Sequence, residues 1–193
     1  MRKLTVLNHM TLDGVMQAPG RPDEDTRGGF GRGGWAQAGS DEVMASFMGV
    51  GRRGDPGALL LGRRTYLDFY GFWPQQPDNP YTESLNKQQK YVASRTLAEP
   101  LPWQNSTLLP GDAAAAVAEL KQVPGPDLLV LGSGELIGSL RQRARVDEYV
   151  LMIHPLILGA GRRLFPEGTP ADLQLAETVS TTTGVIIARY QAR

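Results

Sequence analysis

The stretch Leu128-Leu129-Val130-Leu131-Gly132-Ser133-Gly134-Glu135-Leu136 constrains this chain more than any other. A short apolar run without polar alternation predicts a parallel strand covered on both faces. The Gly-Ser-Gly break then turns the chain straight into a helix over 135–143. The first N–H groups of such a helix have no partner within it, and beyond the carboxyl end of a strand they favour an anion, typically a phosphate. A side chain at Gly132 or Gly134 would hold a ligand off the backbone and resist positive φ. The same residues also suit a plain strand-to-helix turn in which glycine serves geometry alone.

The pattern recurs. Ala58-Leu59-Leu60-Leu61-Gly62 reads as a second buried strand, and Arg63-Arg64-Thr65-Tyr66 opens a helix that carries Tyr66, Phe69 and Tyr70 before Gly71. Here a glycine at a strand end is followed by two cations and a hydroxyl. Backbone N–H groups and Thr65 suit phosphate oxygens, and an arginine suits a charge-assisted fork. The plainer reading is a solvated helix face bearing Arg63 and Arg64. A third strand, Lys90 to Ser94, ends in Ser94-Arg95-Thr96. That cluster suits a ribose 2′-phosphate, which needs an arginine with hydroxyl donors nearby.

At 193 residues one core suffices, since a chain of this size buries about 70% of its unfolded surface, and a single domain over 1–193 is expected. Lys plus Arg equals Asp plus Glu at 20 each, so no global field attracts nucleic acid or an anionic membrane, and the expected partner is a small molecule. The chain has no cysteine and only 2 histidines, His9 and His154, so disulfides, thiol nucleophiles and the usual metal sites are not expected. The start lacks the apolar run of a leader, and no stretch approaches the roughly 20 apolar residues of a membrane helix; a cytoplasmic protein is expected.

Leu4 to Met10 reads as a largely buried first strand. From Thr11 to Ser40 periodicity dissolves into a glycine-rich loop, too long for a mere connector and so a candidate lid or binding wall. Phe30 and Trp35 either anchor that loop or face a planar ligand. Ser40 reads as the N-cap of a short helix carrying Asp41, Glu42, Val43, Met44, Phe47 and Met48, ended by Gly49 and Gly51. Asp41 or Glu42 either faces substrate or serves the helix dipole. A polar loop is expected from Trp73-Pro74 through Asn86, then a strand over Ser106 to Leu109 and a helix from Asp112 to Lys121 stopped by Val123-Pro124-Gly125-Pro126. Val146 to His154 reads as an apolar strand with Asp147 and Glu148 as solvated acids at its start. Pro155 to Phe165 reads as a hairpin-like excursion. Leu173 to Thr178 and Val185 to Tyr190 form an antiparallel end.

Six pieces in order resemble the dihydrofolate reductase-like family that includes the reductase domain of the riboflavin-biosynthesis deaminase-reductase. They are Thr11-Leu12-Asp13-Gly14, Leu61-Gly62-Arg63-Arg64-Thr65-Tyr66, Val92-Ala93-Ser94-Arg95-Thr96-Leu97, Gly132-Ser133-Gly134-Glu135-Leu136, Val146-Asp147-Glu148-Tyr149, and Pro155 through Leu158-Gly159-Ala160-Gly161 to Leu164-Phe165. The resemblance implies a three-layer α/β/α fold, its mixed, mainly parallel central sheet ending in antiparallel C-terminal strands, and an NADPH cleft at the strand ends. It implies that Gly62, Arg63, Arg64 and Thr65 cradle phosphates, that Ser94, Arg95 and Thr96 meet the 2′-phosphate, and that Gly132, Ser133, Gly134, Glu135 and Leu136 wrap the pyrophosphate. Asp13 to Gln17, with Val15 and Met16 between, resembles the loop that closes on the nicotinamide. Asp13 and Asp41 are the candidates to place or protonate substrate. The family's fused deaminase domain has no counterpart here, so neither folate nor the riboflavin intermediate is assigned. The implied activity is NADPH-dependent reduction of a small substrate such as a pterin- or pyrimidine-like heterocycle; a non-catalytic nucleotide-binding or ligand-sensing module is the alternative. A homodimer is expected by the same resemblance, with Tyr149 to Ile153 or Pro155 to Phe165 as its contact.

Overall fold

A computed structural model describes residues 1–47, 57–168 and 170–193. In chain order the elements are β1 (Leu4–Thr11), α1 (Glu42–Phe47), β2 (Ala58–Gly62), α2 (Arg63–Phe72), α3 (Pro80–Lys87), β3 (Lys90–Ala93), β4 (Ser106–Leu109), α4 (Ala113–Gln122), β5 (Leu128–Leu131), α5 (Gly134–Gln142), β6 (Glu148–His154), β7 (Leu173–Ser180) and β8 (Ile186–Ala192). The strands form a mixed sheet in the order β4-β3-β2-β5-β1-β6-β8-β7, mostly parallel with an antiparallel C-terminal part. The contacts gather in two compact units, Met1–Thr5 with Val50–Asp147 and Val6–Gly49 with Glu148–Arg193. Among the described residues no helix is long and apolar enough to cross a membrane.

The first unit is built on parallel β2, β3, β4 and β5. Leu59, Leu61 and Val92 pack with Tyr66, Leu85 and Trp103, and the Tyr66 hydroxyl accepts the Trp103 N–H at 2.9 Å. Lys90 is fully buried beneath this cluster; its Nζ donates to the carbonyls of Leu85 at 2.6 Å and Gln88 at 2.7 Å and lies 4.5 Å from the centre of the Trp103 ring. The stretch read as a polar loop up to Asn86 contains α3. Asn79 caps it by accepting the Tyr81 N–H at 2.9 Å, and Pro80 opens it. Asp147 is not merely solvated either: its carboxylate accepts from Lys121 Nζ at 2.5 Å and the Leu4 N–H at 2.7 Å.

The second unit has two apolar clusters. Met44, Val150, Met152, Val185 and Ile187 form one, and Val15, Ala18 and Phe30 the other. Phe30 is buried and the Trp35 Nε1 donates to the Gln17 carbonyl at 2.8 Å, so both aromatics anchor the long loop. The cap of α1 is Asp41 rather than Ser40, because the Asp41 carboxylate accepts the Met44 N–H at 2.8 Å. Met48, Gly49 and Gly51 lie outside the described residues. Glu148 pairs with Arg189 at 2.7 Å instead of facing water. Tyr149 to Met152 are buried within the chain, which removes most of that strand as a contact surface. Pro155 to Phe165 forms no hairpin, and within it Arg163 makes an isolated bridge with Val15.

Candidate functional site

The strand tips of the first unit converge. Parallel register sets Gly62 opposite Ala93, so Ser94 leaves β3 beside the start of α2. Leu60 pairs with Val130, which carries Gly62 and Gly132 to the same edge. The three turns picked out in the sequence therefore lie on neighbouring strands, β3, β2 and β5.

At the centre of this edge is a hydroxyl relay. The Gly62 N–H donates to Ser133 Oγ at 2.9 Å, and that hydroxyl donates to Thr65 Oγ1 at 2.8 Å. A Cβ on Gly62 would lie 3.2 Å from Ser133 Oγ, so glycine here permits close approach of two turns. Gly132 and Ser133 both hold φ of 62°, a left-handed pair that glycine and, at a cost, serine adopt. Spent on Gly62 and Thr65, Ser133 makes no side-chain cap to α5, and Gly62 has no side chain with which to cap α2. Two helix N-termini thus open at adjacent strand tips without an internal acceptor from their cap residues, the arrangement that suits phosphate oxygens. Arg63 and Arg64 are exposed at the first turn of α2. Ser94 is buried, and its Oγ accepts the N–H groups of Thr96 at 3.1 Å and Leu97 at 3.0 Å. This serine folds the turn, while Arg95 and Thr96 stand exposed on it.

The remaining sequence candidates belong to the second unit. Asp13 is a clamp: it accepts from the Thr11 hydroxyl at 2.5 Å and from the N–H groups of Leu158 at 3.2 Å and Gly159 at 2.8 Å. The Thr11 hydroxyl first, then those backbone donors, hold its carboxyl below the usual carboxylate range. Asp41 is likewise depressed, by the Met44 N–H and then by Thr182, whose N–H and hydroxyl each lie at 2.7 Å. Both acids stay ionised near neutrality and have no proton to donate. In the loop after Asp13, Val15 and Gln17 are buried and Met16 is partly exposed. The Gln17 amide is consumed, donating to the carbonyls of Asp25 at 3.1 Å and Arg27 at 2.9 Å and accepting the Arg162 N–H at 2.9 Å. Gln17 thus knits the loop, with both hydrogens of its side-chain amide given to backbone carbonyls.

Two features escaped the sequence reading. His9 Nδ1 and His154 Nε2 lie 2.8 Å apart, with the Trp35 ring edge-on to His154. Burial first, then the neighbouring ring, pushes His9 down to about 3, and burial pushes His154 down to about 4. The second is a cavity of about 390 Å³ lined by Gln17, Arg27, Phe30, Arg32, Gly161 and Arg162 among others. Both join residues distant in sequence, and no local motif announces either. Among the described residues no three His, Cys, Asp or Glu side chains gather as a metal site requires.

The RibD C-terminal domain model matches residues 2–187. Uncharacterized protein YyaP of Bacillus subtilis (strain 168) is 31% identical over 139 residues, 68% of this chain and 72% of that one. Uncharacterized protein YwjB of the same organism is 32% identical over 139 residues, 68% and 74%. The fold is similar to that of a putative riboflavin biosynthesis protein from Shewanella sp. PV-4, with a TM-score of 0.67 at 21% identity over 100% of this chain and 99% of the other. It is similar also to that of a pyrimidine reductase-like protein from Corynebacterium diphtheriae, with a TM-score of 0.64 at 13% identity over 100% and 92%. Matched over nearly its whole length, the chain belongs to the RibD C-terminal domain family, a family of reductase type.

Proposed function

We propose that the chain is an NADPH-dependent reductase of a small heterocyclic substrate, pterin- or pyrimidine-like. The observation that carries this reading is the alignment of Gly62, Ser94 and Gly132 at the ends of three neighbouring strands. The residues fit a phosphorylated dinucleotide: two helix N-termini left uncapped by side chains, the Thr65 hydroxyl, and an exposed Arg95 with Thr96 beside it. NADPH, when bound, supplies the hydride. The chain's own part is to hold and orient that group, with Gly62 to Thr65 and Gly132 to Leu136 toward the pyrophosphate and Arg95 and Thr96 toward the 2′-phosphate. Asp13 and Asp41 enter as structural carboxylates, since their hydrogen bonds keep them ionised.

That same ionisation favours the competing reading of a nucleotide-binding module without turnover, because it leaves the chain's two candidate acids without a proton. Nicotinamide fluorescence separates the possibilities. NADPH is expected to bind, and Arg95→Ala to weaken it about tenfold to a hundredfold, the loss of a charge-assisted hydrogen bond of about 1.5–3 kcal/mol, with NADH affinity unchanged. Oxidation of NADPH on adding reducible pterins, pyrimidines or quinones supports the reductase; binding without oxidation of any of them selects the module. Failure to bind either dinucleotide overturns both.

A further inference from the structure

The arginine-lined cavity lies wholly within the second unit. Its walls are the segment from Arg27 to Arg32 and the segment from Ala160 to Arg162, and the lining holds three arginines and no acid. Arg27 is neutralised from behind by Asp25, which accepts its Nε at 2.7 Å and an Nη at 2.5 Å. Arg32 is exposed and makes no ion pair among the described residues. Arg162 is also exposed, lies within the electrostatic reach of Asp25 and has a further partner within the chain, which leaves its other guanidinium donors for a ligand. Counted over the lining side chains alone, the charge is positive. Two backbone donors add to it, since neither the Gly31 nor the Arg32 N–H meets an acceptor among the described residues.

The walls are also fixed in advance. Gln17 bonds to both of them, and the Met16 N–H donates to the Arg162 carbonyl at 2.8 Å. At Gly161, with φ of 122°, a Cβ would lie 2.7 Å from Val15 and 2.9 Å from Phe30, so the two segments approach as closely as backbone allows. A preformed cationic cavity loses little freedom when it takes a ligand.

We propose that this cavity binds a small oxyanion, a phosphoryl group or a carboxylate, gripped by the guanidinium groups of Arg32 and Arg162 and the N–H groups of Gly31 and Arg32. The residues of this site differ from those of the strand-tip reading: every residue in it belongs to the second unit, and every strand-tip donor to the first.

The test uses the full chain labelled with ¹⁵N-arginine, following the Nε–H resonances of Arg32 and Arg162 at constant ionic strength. Inorganic phosphate, glycerol phosphate and succinate are added in turn. At least one is expected to shift both resonances saturably, and Arg32→Gln to weaken the response at Arg162 at least tenfold; Arg162→Gln, read at Arg32, is the reciprocal check. Saturation by the two phosphates alone identifies a phosphoryl site and saturation by succinate alone a carboxylate site, and either supports the proposal. Shifts that never saturate with any of the three, or that persist unchanged in Arg32→Gln, overturn it. Nicotinamide fluorescence reads the strand tips and the arginine resonances read the cavity, so failure of one leaves the other standing.

Discussion

Gly62 and Ser133 owe their positions to each other. Gly62 has an ordinary φ of −77°, so its need for glycine comes from space alone. A methyl there would press on Ser133 Oγ at 3.2 Å and Cβ at 3.3 Å, and Ser133 cannot swing away without losing its bonds to Gly62 and Thr65. Gly62→Ala is therefore expected to cost on the order of 1–3 kcal/mol of stability, as overpacking does, and to weaken NADPH binding. Ser133→Ala removes the acceptor of the Gly62 N–H and is expected to cost about 1 kcal/mol. The double variant is expected to fall short of the sum by about 0.5 kcal/mol or more, on the order found for contacting residues, because losing the hydroxyl removes the nearer of the two atoms on which the methyl presses. Urea denaturation of the four proteins measures this; strict additivity would mean that the two residues do not share the constraint.

The secondary structure was legible where a segment's own residues decide it. Ala58–Gly62, Ser106–Leu109 and Leu128–Leu131 are runs whose composition and flanking turns suffice, and Asp112 before an alanine-rich stretch marks α4. α3 was hidden because, among its described side chains, Leu85 is the one apolar group placed in the core cluster; polar ties do the rest. Thr82 Oγ1 donates to the Trp73 carbonyl at 3.0 Å, Asn86 accepts the Trp103 indole N–H at 2.7 Å, and Lys90 holds the carbonyls at its end. Its local signal was the start: Asn79 as cap, Pro80 in the first turn and Glu83 four residues before Lys87. Asp41 shows the converse, a residue read as a candidate acid whose neighbour Ser40 was given the cap that Asp41 supplies. Asn79→Ala is expected to lower stability by about 1 kcal/mol, or about 2–4 °C in Tm for a chain of this length. Calorimetry checks it; an unchanged Tm would mean that the polar ties alone hold α3.

The pH response of the protein is set by groups that no single segment reveals. His9 and His154 are 145 positions apart and share one hydrogen bond. Each ionises near 6.5 when unfolded and far lower when folded, at about 3 and about 4. Between those limits the unfolded chain binds more protons, so stability is full above about pH 6.5 and is lost as pH falls toward 4. Each ring that stays neutral costs about 2 kcal/mol between pH 7 and pH 5. Asp13 and Asp41 act in a lower window, because depressed carboxyls surrender their contribution only as pH falls below about 4. Lys90 acts at the other end: burial draws it from 10.5 down to about 8, so the folded state gains stability as pH rises between those values. Urea midpoints measured from pH 4 to pH 10 are expected to climb from 4 to 6.5, run level, and climb again above 8. In His154→Gln the acid limb falls by about half whatever the variant's stability at pH 7, because buried His9 still resists protonation, and in Lys90→Met the alkaline limb disappears. An acid limb of undiminished height in His154→Gln would assign it to other groups, and His154 would then be no more than packing.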